Sequence, residues 1–246
     1  MTLKRRNFLA LLLALPACAS TQGEEPHWSY DGEGGPEHWA ELSPEFATCS
    51  GKNQSPVNLT DFVEADLEPL QIDYRPGGRE LVNNGHTIQV DYAPGSWLLV
   101  DDTRFELKQF HFHVPSENQI DGKIFAMEAH LVHADPDGNL AVLAILYDEG
   151  PASPGLATFW SKIPPEKDQR VALTTGVDAA KLLPKSHDYY RFNGSLTTPP
   201  CSEGVRWLVL KQSATASPGQ VESLLHVLHH PNNRPVQPIN ARPVLE

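Results

Sequence analysis

Hydrophobic and polar positions alternate with period two over several short stretches of the 246-residue chain. β-Branched and aromatic residues interleaved with polar ones, and bounded by Gly, Pro, Asn and Asp, occupy 87–92, 96–100, 105–114, 124–133, 140–147 and 205–211. Side chains two apart share one face of a strand, so each stretch predicts a strand. Asp135-Pro-Asp-Gly138 is a tight-turn sequence, which makes 127–133 and 140–146 antiparallel neighbours. Helical spacing is rarer. It predicts a helix over 217–230, with Ser217 as N-cap, Pro218 at the first helical position, Val221, Leu224, Leu225 and Leu228 on one face, and Pro231 as the stop. Leu156, Phe159, Trp160 and Ile163 predict a shorter one. With no internal repeat or low-complexity linker, the expected architecture is a single β-dominated α+β domain, a large, mostly antiparallel twisted sheet with short peripheral helices.

Composition sharpens this. Twenty-two Pro and 17 Gly argue against long uninterrupted helices, and so against a coiled coil or helical solenoid. Nineteen basic residues against 31 acidic ones give a net charge of −12 with the 11 His neutral. A nucleic acid or an anionic membrane would repel such a surface, so neither is an expected partner, and the acid excess reads as solubility.

The amino-terminal residues read as an address. Lys4, Arg5 and Arg6 precede an apolar run of eight residues over 8–15, too short to span a membrane stably, so 1–19 is expected to be a signal peptide and 20–246 the mature domain. The stretch 4–9 resembles a twin-arginine export signal. Leu15-Pro-Ala-Cys18 resembles a lipobox, in which Cys18 would carry a lipid anchor, while Ala17-Cys-Ala19 equally suits ordinary cleavage. Removing the leader takes three basic residues away, leaving 16 against 31 acidic ones. It also leaves Cys49 and Cys201 as an even pair in an oxidising periplasmic or secreted setting, where a disulfide is the default and two buried thiols the alternative.

The candidate chemistry lies in two of the predicted strands. Gln109, His111 and His113 share one face while Phe110, Phe112 and Val114 share the other; in the second strand Glu128, His130 and Val132 share a face. If these faces align, His111, His113 and His130 converge. Three neutral imidazoles suit Zn²⁺ and leave its fourth position open, the pattern of a catalytic zinc. Gln109 and Glu128 stand two residues from His111 and His130, where they can orient the outward ring N–H groups. His133 has the opposite parity and reads as structural. A rival is the first metal motif of cupins, which His111, His113 and Glu117 resemble and in which the Glu is itself a ligand; that pattern expects Gly where Phe105 stands.

Seven segments stand in order along nearly the whole mature length: His27-Trp-Ser-Tyr30, Gln54-Ser-Pro-Val-Asn58, Asn83-Asn-Gly-His-Thr87, the segment 109–113 with Pro115-Ser-Glu117, the segment 127–133, Asn193-Gly-Ser-Leu-Thr-Thr-Pro-Pro200 and Asn233-Arg-Pro-Val-Gln237. Through them the sequence resembles α-class carbonic anhydrases of the bacterial exported kind. The resemblance implies reversible hydration of carbon dioxide to bicarbonate by a zinc-bound hydroxide. His111, His113 and His130 would be the ligands, and Thr197 would pass a hydrogen bond to Glu117. His86 would be the proton shuttle, with Tyr30, Asn84 and Gln89 along its polar path. Val132, Val142, Leu196, Thr198, Val205 and Trp207 would form the substrate wall. The resemblance also implies a Cys49–Cys201 bridge bracing the Thr197 loop, and a homodimer. Asn118 and Val114 depart from the commoner animal pattern, and neither removes a catalytic group. The alternative of another class is a noncatalytic relative that keeps the fold as a binding module.

Overall fold

The computed structural model describes residues 26–246; the signal-peptide and Cys18 readings lie outside them. The alternating segments assemble into one sheet of eleven strands. The stretch expected at 105–114 is the long strand Thr103–His113, and those expected at 124–133 and 140–147 are Met127–Ala134 and Leu140–Glu149. These three run side by side and antiparallel, with Met127–Ala134 in the middle. The Asp135 turn closes as expected, Gly138 N–H donating to the Asp135 carbonyl. Beyond Leu140–Glu149 the order continues through Glu203–Leu210, which pairs parallel to it, to Tyr189–Ser195 at the edge. On the other side, Ile88–Tyr92, Gly78–Asn83 and Arg170–Val177 follow Thr103–His113.

Period-two alternation divides the side chains between two cores. On one face Phe110, Phe112, Met127, Ala129 and Leu131, all fully buried, pack with Leu143 and Ile145 under Leu156, Phe159, Leu224 and Leu228. The opposite face carries a smaller cluster around Val142, Val205 and Trp207. Burying this much apolar surface on both faces is what holds a sheet of this size together. The helix Pro218–Leu228 keeps its expected start, with Ser217 and Gln220 making a reciprocal capping box. It departs at the other end: His229, at φ 66, closes the helix in a left-handed turn before Pro231 is reached, and Leu225 is exposed. The helix expected at 156–163 is two pieces, Pro154–Ala157 and the tighter turn Trp160–Lys162, because Phe159 between them leaves helical geometry (φ −139, ψ −13). Among the described residues, no helix is long and apolar enough to cross a membrane.

His133 faces the first core, as its parity predicts. It is fully buried, its Nε2 2.7 Å from the Tyr74 hydroxyl, and burial lowers its pKa to about 4. The unfolded chain binds a proton here near the ordinary pKa of 6.5 and the folded chain only near 4, so stability falls as pH drops through that window, by about 3 kcal/mol at most. Urea unfolding midpoints at pH 7.5 and 5 are expected to drop in the parent chain and to drop less in His133→Gln.

Candidate functional site

Strand register decides whether the three histidines meet. Thr103–His113 and Met127–Ala134 pair with His111 opposite His130, His113 opposite Glu128 and Gln109 opposite Val132. Since facing residues of an antiparallel pair point the same way, all of these project from the face opposite Phe110 and Leu131. One potential ligand atom from each of His111, His113 and His130 lies within 4.8 Å of the other two.

Hydrogen bonds at His111 and His113, and the close approach of His130 to the Glu128 carboxylate, fix which ring nitrogen turns inward. His111 Nδ1 is 2.8 Å from Gln109 Oε1, His113 Nδ1 is 2.7 Å from the Asn232 carbonyl, and His130 Nε2 is 2.9 Å from Glu128 Oε1. Each partner is an acceptor, so each of those nitrogens carries the proton. The lone pairs left over are on Nε2 of His111, Nε2 of His113 and Nδ1 of His130. His113 Nε2 is buried with no hydrogen-bond partner, the condition expected of an atom reserved for a metal. Burial, reinforced by the His130 charge, pushes the pKa values of His111 and His113 well down and keeps them neutral. For His130 burial acts the same way and is the largest single influence, but the Glu128 and Glu117 carboxylates together raise the value. His111 and His113 as neutral donors, joined by His130 once it gives up its Nδ1 proton, fit zinc in a site open at its fourth position.

Glu128 also braces the next turn, accepting the backbone N–H groups of Glu117 and Asn118 at 2.8 Å and the Asn118 side chain at 2.7 Å. Glu117 is thereby held behind the imidazoles. Its Oε1 accepts the Arg234 N–H at 2.8 Å, and its Oε2 is 3.4 Å from His113 Nε2. It stands outside the cluster of mutually close ligand atoms, which the cupin reading would have included. Burial raises Glu117 to about 7, with the His130 charge, the Arg234 N–H and the Thr197 hydroxyl pulling it back.

A cavity of about 120 Å³ opens from His111 and His113, lined also by Trp28, Tyr30, Asn84, His86, Gln89 and Thr198. His86 rides on a turn in which Asn84 Oδ1 accepts the N–H groups of both His86 and Thr87, and in which Gly85 adopts φ +83, open to glycine at little cost. Asn84 thus spends its oxygen on the turn and has only its NH₂ for the cavity. The His86 ring stacks on Trp28, centroids 3.8 Å apart, and its carbonyl accepts from Asn232 Nδ2 at 2.9 Å. Burial first, then the charges of Lys167, His27 and His230, lower His86 to about 4, against the pull of Asp168. Gln89 stands opposite His111 in the neighbouring strand and donates to Asp91.

The apolar residues fall in two layers. Val132 and Leu196 are partly exposed, whereas Val142, Val205 and Trp207 are buried behind them in the same cluster. Trp207 meets His130 edge-on at 4.8 Å, so this cluster abuts the metal-ligand set directly. Cys49 and Cys201 are joined by a disulfide.

Two participants had no signal in the periodicity. Asn232 accepts from His113 through its carbonyl and from Val114 N–H through Oδ1, and it donates to the carbonyls of His86 and Phe112. Arg234 is buried, its guanidinium donating to Gln54, the Ser55 carbonyl and the Cys49 carbonyl. Both lie in an irregular segment, and only the Asn233-Arg-Pro-Val-Gln237 resemblance marked its neighbourhood.

Comparison with known proteins agrees with this geometry. The family model described as eukaryotic-type carbonic anhydrase matches residues 34–246. A carbonic anhydrase of Pectobacterium carotovorum is 50% identical over 239 residues, covering 96% of this chain and 98% of that protein. One from Neisseria gonorrhoeae is 48% identical, covering 100% and 98%. The structure of the α-carbonic anhydrase of Thermovibrio ammonificans with sulfanilamide is 49% identical and superposes with a TM-score of 0.88 over 91% of this chain and 100% of that one.

Proposed function

The chain belongs to the eukaryotic-type, or α-class, carbonic anhydrases, zinc lyases that interconvert carbon dioxide and bicarbonate, and from that premise we propose how its own residues divide the work. His111, His113 and His130 hold the zinc, with Gln109, the Asn232 carbonyl and Glu128 fixing the three tautomers. Zinc supplies the Lewis acidity that makes hydroxide available near neutral pH, as it does in carbonic anhydrases generally. The observation that carries this reading is the set of three inward lone pairs whose opposite nitrogens are all engaged.

Thr197 and Glu117 set orientation. If Thr197 donates its hydroxyl proton to Glu117, whose ionised form it favours, its Oγ1 has only lone pairs for the cavity, so it selects an O–H donor there and turns that donor's lone pair toward the substrate. Carbon dioxide is small and apolar, and the dry surface of Val132 and Leu196, backed by Val142, Val205 and Trp207, holds it beside Thr198. One proton per turnover must then leave. His86 carries it, and Tyr30, Asn84 and Gln89 line its way.

Zinc analysis and stopped-flow hydration of the mature chain test this together: one zinc per chain and a rate far above buffer are expected. No zinc and no rate would leave a noncatalytic binding module. His86→Ala is expected to slow turnover in weak buffer by about 10²-fold, the low end of what a positioned proton-transfer group contributes, and added imidazole is expected to restore it.

Residues 1–19 act as a twin-arginine-like signal peptide and 20–246 as the catalytic domain, giving a periplasmic or secreted enzyme. Mass spectrometry of the exported amino-terminus distinguishes plain cleavage from a lipid on Cys18. The homodimer rests on the resemblance alone, and sedimentation of the mature chain tests it.

A further inference from the structure

Tyr30, which lines the cavity, has more imidazole around it than the shuttle reading uses. Tyr30 has His86 beside it, ring centroids 6.5 Å apart, and a second imidazole, His230, at 6.0 Å. His230 follows the left-handed cap of the helix Pro218–Leu228 and is half-buried. Its Nδ1 is 2.9 Å from the Pro231 carbonyl, so the Nδ1 proton is committed and Nε2 carries the free lone pair. The Tyr30 hydroxyl is buried with no hydrogen-bond partner among the described residues, an O–H that calls for water or another mobile partner.

We propose that His230 is a second proton-carrying group of this active site, taking up at Nε2 and passing to buffer the proton that each turnover delivers to the cavity mouth. Hydration of one carbon dioxide releases one proton. Neutral His230 accepts it from water at Nε2, becomes an imidazolium, and returns to neutral when a buffer base removes it. Nothing else changes oxidation state or bonding.

The surrounding charges favour a shared task. Facing His86 are Lys167, His27 and His230, which oppose its protonation, and Asp168, which favours it; burial is the largest influence, and the result is about 4. A lone carrier held so low accepts protons poorly from a donor near neutrality. A second acceptor beside Tyr30 gives the proton another way out, an arrangement that rests on the shuttle reading of the cavity mouth.

The test uses the zinc-loaded mature enzyme and four variants: His230→Ala, His230→Gln, His86→Ala and the double alanine. Both His230 variants are expected to lower kcat several-fold in weak buffer, to leave kcat/KM for carbon dioxide unmoved, and to recover with imidazole, with the double variant slower than His86→Ala alone. A readout independent of turnover is the NMR titration of the imidazole Cε1–H signals: losing His230 is expected to move the His86 midpoint up. If the double variant equals His86→Ala and the His86 midpoint stays put, the proposal is overturned while the His86 shuttle survives. If His86→Ala is silent and the His230 variants slow turnover, the His86 role fails and the His230 role stands.

Discussion

The His113→Ala protein is expected to lose bound zinc and to hydrate carbon dioxide no faster than buffer, while keeping the circular dichroism of the parent sheet. His113 is the most constrained of the three imidazoles. It is 1% exposed, its Nδ1 is bonded to the Asn232 carbonyl, and its Nε2 has no hydrogen-bond partner among the described residues. Truncation removes one of three nitrogen donors outright and leaves the Asn232 carbonyl buried without its donor, which costs about 1–3 kcal/mol of stability. Gln109→Ala is the informative contrast. It leaves all three donors and removes only the acceptor that fixes the His111 tautomer, so affinity or activity is expected to fall by roughly 10–100-fold. Zinc retention and hydration rate, measured side by side on the two variants, separate loss of a ligand from loss of its support. Equal rates for His113→Ala and the parent would remove this site from the chemistry.

The convergence of those imidazoles was legible because the strand period is two and the register keeps it. His111, His113 and His130 needed only correct parity and a pairing of the two strands, and His133 declared itself structural by the same rule. Five of the sheet's eleven strands were not legible: Gln71–Asp73, Gly78–Asn83, Arg170–Val177, Tyr189–Ser195 and Ala214–Ala216. Arg170–Val177 is a sheet edge on which Arg170, Ala172, Thr174, Thr175 and Gly176 are exposed, so no apolar alternation marks it. Tyr189–Ser195 contains Asn193 and Gly194, which read as a turn, and is a strand because Glu203–Leu210 pairs along its whole length. Gly78–Asn83 begins with glycine and a charged pair, and takes its shape from Ile88–Tyr92 beside it. Helical spacing misled at 156–163, where Leu156, Phe159 and Trp160 do reach the core but from two short turns. Asn232 and Arg234 act through backbone contacts in irregular chain, where no periodicity exists to be read.

Removing the Cys49–Cys201 bridge, by Cys49→Ser with Cys201→Ser, is expected to lower stability by about 2–5 kcal/mol and Tm by roughly 10 °C. The two cysteines are 152 residues apart, and closing a loop of that length is worth roughly 5 kcal/mol in the chain-entropy model. That is a large share of the roughly 5–15 kcal/mol that holds an ordinary domain folded. The functional consequence is local. Cys201 holds φ 55, a left-handed conformation that costs a non-glycine residue roughly 1–2 kcal/mol, and its N–H donates to the Thr198 carbonyl while Leu196 donates to Ser202. The bridge therefore ties the loop carrying Thr197 to the segment around Cys49, which Arg234 anchors in turn through the Cys49 and Ser55 carbonyls. The three histidines proposed to hold zinc come from the sheet and not from this loop. So the double variant, assayed well below its melting temperature, is expected to bind zinc like the parent yet turn over more slowly, because Thr197 is less well held. A parent-like Tm would show that the bridge adds no stability, and zinc loss in step with activity would place its effect on the sheet instead of the loop.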